Sequence, residues 1–244
     1  MKDNFSTQAA TYAQFRPRYT ENIFTPIIDL CTQKENVWDC GTGNGQAAIF
    51  LAKHFQKVIA TDISQKQIDN AVRADNIFYS IASDENANFE PHTFDLIMVA
   101  QAAHWFNFDK FYSNVNQFLK DDGIIALVGY GIHSINPEID DIVNQFYSET
   151  IGAYWDAERK LIEQHYTTIP FPFKEIIISE TDLQFEISFE AFIGYINSWS
   201  AVQHFKNKNN YNPVELIETS LKNVWGKSLH QISFPVFYRV GKKM

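Results

Sequence analysis

The apolar run Val37-Trp38-Asp39-Cys40 passes without a spacer into Gly41-Thr42-Gly43-Asn44-Gly45, so glycine occupies every second position of a turn. With no Cβ in the way, such a turn brings backbone N–H groups close to a ligand, and a helix starting just beyond it aims its N-terminus at the same point. A strand that feeds a helix in this way belongs to a parallel sheet. The flanking sequence repeats the pattern, with strand-like segments at 37–40, 57–61, 77–81, 94–100 and 123–129 separated by amphipathic stretches. Five parallel strands are expected from this half of the chain.

Between those strands, helical spacing runs from Gln46 to His54, from Ser64 to Arg73 with Ser64 as N-cap, and from Phe108 to Leu119. In the last of these, Phe108, Phe111, Tyr112, Val115, Phe118 and Leu119 form one apolar stripe. Helices should therefore cover both faces of the sheet. After Gly131 the chain turns aromatic and amphipathic, with helical stretches at Pro137–Phe146, Trp155–Tyr166, Phe189–His204 and Pro213–Val224. A strand-like run spans 174–188, and an alternating strand spans 233–241.

The 244 residues suffice for one large α/β domain with a full core. A formal charge of −9 opposes binding to a phosphate backbone, and no long basic run offsets it, so nucleic acid is not the expected partner. The two cysteines, Cys31 and Cys40, do not form a disulfide framework, which fits a cytoplasmic protein. No stretch reaches the roughly 18 apolar residues of a membrane span, and the N-terminus lacks the apolar core of a signal peptide. No His/Cys/carboxylate cluster has metal-ligand spacing.

A dinucleotide fingerprint would place its third glycine where Gln46 stands, which counts against a dehydrogenase. Asp62 closes the second strand, where a carboxylate can accept both hydroxyl protons of a ribose. Ile63 beside it could pack on a base. Ser83-Asp84-Glu85 follows the third strand, and the fourth ends in Gln101, Ala102, Ala103, His104 and Trp105, at the carboxyl edge where open α/β sheets bind ligands.

Asp39, Gly41, Gly43 and Gly45 in this spacing resemble the acidic-x-Gly-x-Gly-x-Gly motif of class I S-adenosylmethionine-dependent methyltransferases, and Asp62 resembles their second motif. The segment at 83–85 is similar to the family's Gly-Ala-Glu element, with Asp84 in place of a small residue. Three further segments resemble the trans-aconitate and cantharidin methyltransferase group of the type 11 small-molecule enzymes. They are Ala100-Gln101-Ala102-x-His104-Trp105-Phe106, Tyr12-Ala-x-Phe-Arg16-Pro-x-Tyr19 and Tyr195-x-x-x-Trp199-Ser-Ala.

The resemblance implies a single methyltransferase domain over 1–244. It would be a Rossmann-like α/β fold with a seven-stranded, mostly parallel sheet, helices on both faces, an antiparallel last strand and a helical cap inserted after strand five. Within it, 36–130 would form the cofactor half, 131–232 the cap and substrate side, and 233–241 the final strand. S-adenosylmethionine would be the cofactor. The glycine turn and Asp39 would meet its amino acid part, Asp62 its ribose, and Ile63, Ser83, Asp84 and Glu85 its adenine. Gln101, Ala102 and Trp105 would line the site, and Tyr12 and Arg16 would lie near its carboxylate.

His104 is open to three readings: proton acceptor, substrate contact, or a ring packed on Trp105. Pocket lining is favoured, because a carboxylate nucleophile needs no base at neutral pH. Glu85 is equally open to being a solvated loop carboxylate. The expected activity is methyl transfer to a small molecule, at the oxygen of a carboxylic acid. The alternatives are a cofactor-holding module without turnover, or transfer to an amine, a phenol or a macromolecule. Base methylation would call for an Asn/Asp-Pro-Pro-Tyr-like segment after strand four, where this chain has Ala-Gln-Ala-Ala-His.

Overall fold

In the computed structural model, which describes Phe15 and residues 17–243, eight strands form one sheet in the order β3-β2-β1-β4-β5-β8-β6, with β7 also paired to β8. The parallel half comprises β1 (Asn36–Cys40), β2 (Lys57–Asp62), β3 (Ile77–Ile81), β4 (Phe94–Ala100) and β5 (Leu119–Tyr130). The long β8 (His230–Lys242) runs antiparallel to β5 along one edge and to β6 (Lys174–Ile176) and β7 (Thr181–Ile187) along the other. The sheet thus has one strand more than expected. The strand-like run at 174–188 is broken at 177–180 into two pieces, both of which lie on β8.

Apolar layers cover both faces. One is built on α4 (Phe108–Phe118), whose Phe111, Tyr112, Val115 and Phe118 are buried, with Asn107 capping it through the Lys110 N–H. Trp38 sits at the centre of that layer against Phe89, Phe94, Phe111 and Phe118, and its indole N–H donates to Thr61 Oγ1 at 2.9 Å. The other face packs against α1 (Glu21–Ile28), α2 (Ala48–Leu51) and the helices that follow β5. Those helices are α5 (Pro137–Gln145), α7 (Phe189–Asn197), α8 (Ser200–Asn209) and α9 (Glu215–Trp225), while the short α6 (Arg159–Glu163) leads into the Tyr166 side of the α4 layer.

Two helices near the glycine turn are shorter than their sequence spacing suggests. The chain at 42–47 is spent on turns, so α2 starts only at Ala48. Ser64 caps α3 (Gln65–Asp69) as expected, but the Val72 N–H is drawn to the Asn44 carbonyl at 3.1 Å, which pulls the chain off the helix axis. The stretch 189–204 is two helices, because Trp199 is extended (φ −69°, ψ 137°) and the Ser198 hydroxyl takes the Tyr195 carbonyl. Among the described residues, no helix is long and apolar enough to cross a membrane.

Candidate functional site

The three glycines after β1 all adopt positive φ, 74° at Gly41, 56° at Gly43 and 81° at Gly45, a region that side chains resist. The N–H groups of Gly41 and Thr42 both donate to the Thr61 carbonyl at 2.9 Å, which fastens the turn to the end of β2. A Cβ on Gly41 would come within 2.7 Å of the Ala102 methyl, whereas one on Gly43 would meet nothing within 4 Å. The turn is closed against β4 on one side and open on the other.

Asp62 faces this opening from β2. Its Oδ2 accepts the Gly43 N–H at 2.8 Å and its Oδ1 the Ser64 N–H at 2.9 Å, so the carboxylate is aimed by two backbone donors. Ile63 is half-buried beside it. Asp39 is fully buried and accepts the Thr42 hydroxyl at 2.5 Å. Burial pushes its pKa up to about 7 against the opposing Thr42 hydrogen bond, and the nearby Asp62 carboxylate adds to the rise. A hydrogen-bonded carboxylate beside an open, Cβ-free backbone turn fits a ligand with a ribose and a cationic amino group, which is what S-adenosylmethionine presents.

The segment after β3 splits its roles. Ser83 closes a tight turn, accepting the N–H groups of Glu85 and Asn86 at 3.2 Å. Asp84 is buried; its Oδ2 accepts the Asn107 N–H at 3.2 Å, and its backbone carbonyl accepts the Asn114 amide at 2.7 Å. Burial raises its carboxyl to about 6, the Asn107 hydrogen bond working the other way. This carboxylate therefore anchors the loop to α4, a task a small residue at this position could not perform. Glu85 pairs with Lys110 at 2.6 Å near the surface, which lowers its pKa.

At the end of β4, Gln101 has φ 54° and clamps the backbone of Tyr130, accepting its N–H at 2.8 Å and donating to its carbonyl at 3.2 Å. Its side chain thus ties β4 to β5. Ala102 sits against Gly41, and residues Ala103–Trp105 form one 3-10 turn. His104 is buried, with Nδ1 3.0 Å from the Tyr166 hydroxyl and its ring tilted 49° against that of Trp105, centroids 4.9 Å apart. Tyr12 and Arg16 lie outside the described residues. Nothing in the sequence singles out Tyr166, and although His133 could line a pocket or belong to the core, the burial of this imidazole just past β5 is visible only in three dimensions.

Comparison with known proteins matches these features. A family model described as a methyltransferase domain matches residues 38–127, the stretch from β1 into β5. A Dictyostelium discoideum protein named as a methyltransferase is 36% identical over 250 residues, covering 99% of this chain and 95% of its own length. A Saccharomyces cerevisiae protein named as an S-adenosylmethionine-dependent methyltransferase is 24% identical over 180 residues, 67% of this chain and 60% of its own length. A solved structure from Anaeromyxobacter dehalogenans, described as a type II methyltransferase, superposes with a TM-score of 0.87 at 31% identity, covering 93% of this chain and 98% of that one. The chain belongs to the class I S-adenosylmethionine-dependent methyltransferases. Its cofactor is S-adenosylmethionine.

Proposed function

We propose that this enzyme transfers a methyl group to a carboxylate oxygen of a small organic acid in the cytoplasm. The cofactor would be held by the open side of the turn at Gly41, Gly43 and Gly45, with Asp39 facing its ammonium and Asp62 its ribose. Ile63 and the 83–85 backbone would flank the adenine, Ala102 and Trp105 the reacting end, and Tyr12 and Arg16 its carboxylate. The cofactor supplies an electrophilic methyl on a sulfonium, and loss of that methyl leaves a neutral thioether.

The observation that carries the choice of acid is His104. Its Nδ1 meets the Tyr166 hydroxyl at 3.0 Å, which fixes the ring at the β4 edge, and in this reading it is a wall of the site. A carboxylate is ionised at neutral pH, and its oxygen can displace the sulfur with no proton to remove. The chain's work is then to align oxygen and methyl and to exclude water. The resemblance of Ala100–Phe106 to the small-acid methyltransferases points the same way, and the free, buried thiols of Cys31 and Cys40 suit a reducing compartment.

Two measurements test the reading. Calorimetric titration of S-adenosylmethionine should give binding that weakens at least about tenfold in Asp62→Ala, since the ribose loses a charged acceptor. Mass spectrometry of reactions with a panel of acids, phenols and amines should then detect methyl esters. Methylated amines or phenols with no ester would discard the acid.

A further inference from the structure

His133 lies two residues past Gly131, whose N–H is held by the Pro235 carbonyl at 2.9 Å, and just before Ser134, which bridges to Ser233. The segment is therefore pinned to β8 beyond the carboxyl end of β5. The residue is 6% exposed, and both ring nitrogens are buried with no hydrogen-bond partner among the described residues. Around it stand Phe192 at 5.0 Å and Tyr195 at 5.5 Å from α7, Trp199 at 6.2 Å, and Phe234 of β8 at 5.8 Å. Burial depresses the imidazole pKa to about 3, so at neutral pH one nitrogen carries a proton and the other a lone pair.

Folded proteins pair nearly all such groups, and an unmet buried donor costs about 1–3 kcal/mol. Phenylalanine would fill an aromatic shell at no such cost. The histidine makes sense where a polar atom arrives from outside the chain.

We infer that His133 anchors the methyl acceptor, donating a hydrogen bond from its imidazole to an acceptor oxygen while Phe192, Tyr195, Trp199 and Phe234 receive an aryl or alkyl body. This rests on the small-acid reading above and narrows it. One oxygen of a carboxylate can take the imidazole N–H and leave the other free to attack the methyl. A neutral ring and four uncharged aromatic side chains offer nothing to balance further carboxylates, whose burial would be costly. The acceptor is accordingly a monocarboxylic acid with an apolar body, and a polycarboxylate is disfavoured.

The test uses 15N-labelled protein saturated with S-adenosylhomocysteine and titrated with benzoic, phenylacetic, octanoic and citric acids, phenol and benzylamine. His133→Phe, which preserves the size and apolar packing of the ring, identifies the His133 nitrogen signals by their loss. At least one apolar monocarboxylic acid should shift those signals and citric acid should not. The same acid should be methylated by His133→Phe with KM raised about tenfold and kcat changed less than about threefold, the pattern of lost acceptor binding. Affinity for S-adenosylhomocysteine and the melting temperature should not fall.

If no compound moves the His133 signals, an ordered water is the only partner and the inference is overturned; an unchanged KM in His133→Phe overturns it equally. A shift with citric acid overturns the apolar-body assignment. Methylation of phenol or benzylamine but of no acid sinks the carboxylic acid reading, and the response of the His133 nitrogens to that compound then decides the anchor separately.

Discussion

At Gly41 the obstacle to any side chain is twofold, a φ of 74° and a methyl of Ala102 2.7 Å from the site of a new Cβ. Gly43 shares the positive φ but opens onto empty space. Gly41→Ala should therefore destabilise the fold by about 1–3 kcal/mol, whereas Gly43→Ala should cost about 1 kcal/mol and act mainly on cofactor affinity. Thermal denaturation beside calorimetry separates the two effects.

The buried titratable groups make a second prediction. Folded Asp39 and Asp84 hold protons up to about pH 7 and 6, while the unfolded carboxyls release them near 3.8, so the two contribute stability that falls as pH rises through that window. His133 acts with the opposite sign: its unfolded ring takes a proton near 6.5 and the folded one resists down to about 3, so stability is lost as pH falls across that range. Melting temperature followed against pH should decline less steeply from pH 4 to 7 in Asp39→Asn, and should hold up better on the acid side in His133→Phe.

The tight glycine turn and the place of Asp62 at the end of β2 were legible in the sequence because residue types and spacing set the backbone there. The work of Gln101 was not. Its partner Tyr130 is 29 residues away, and a glutamine at a strand end looks the same whether it faces a ligand or a neighbouring strand.

Among the elements, the five parallel strands and α4 were readable from their apolar runs and stripe, which β1, β4, β5 and α4 bury, while β3 at the sheet edge leaves Phe78 and Ile81 exposed. The helix limits beside the glycine turn were not, since they depend on a long-range bond between Val72 and Asn44. Nor was the break between α7 and α8, which a continuous amphipathic pattern conceals. Helix α7 also holds Gly194, where a Cβ would fall 2.5 Å from the Phe15 ring of the N-terminal arm. The absent side chain lets that ring lie on the helix. Gly194→Ala and Phe15→Ala should each cost about 1–2 kcal/mol, and the double variant should lose clearly less than their sum, because both break one contact. Denaturant unfolding of the four proteins of the cycle checks the coupling.

For the molecule as a whole, a formal charge of −9 repels anionic acceptors at long range. Raising ionic strength from about 0.01 to 0.15 M shortens the screening length from about 30 to 8 Å, so kcat/KM for an organic acid should rise with salt. A flat or falling profile in steady-state assays would contradict this.

Composition and pattern indicated the layered architecture, but the eighth strand escaped them. Strand β6 has only three residues, β7 is half-exposed, the two are separated by a break at 177–180, and they become one edge only when β8 lies beside them. That arrangement has a consequence for assembly during synthesis. The first five strands can pair as they emerge, each with a neighbour already made or soon to come, whereas among the described residues β6 and β7 pair only with β8, which the ribosome makes after both of them. The glycine turn can therefore take shape on the nascent chain well before the aromatic cluster around His133, whose Phe234 ring belongs to β8. Cofactor recognition and acceptor recognition would thus mature as two successive events, with the second waiting for the strand that starts at His230.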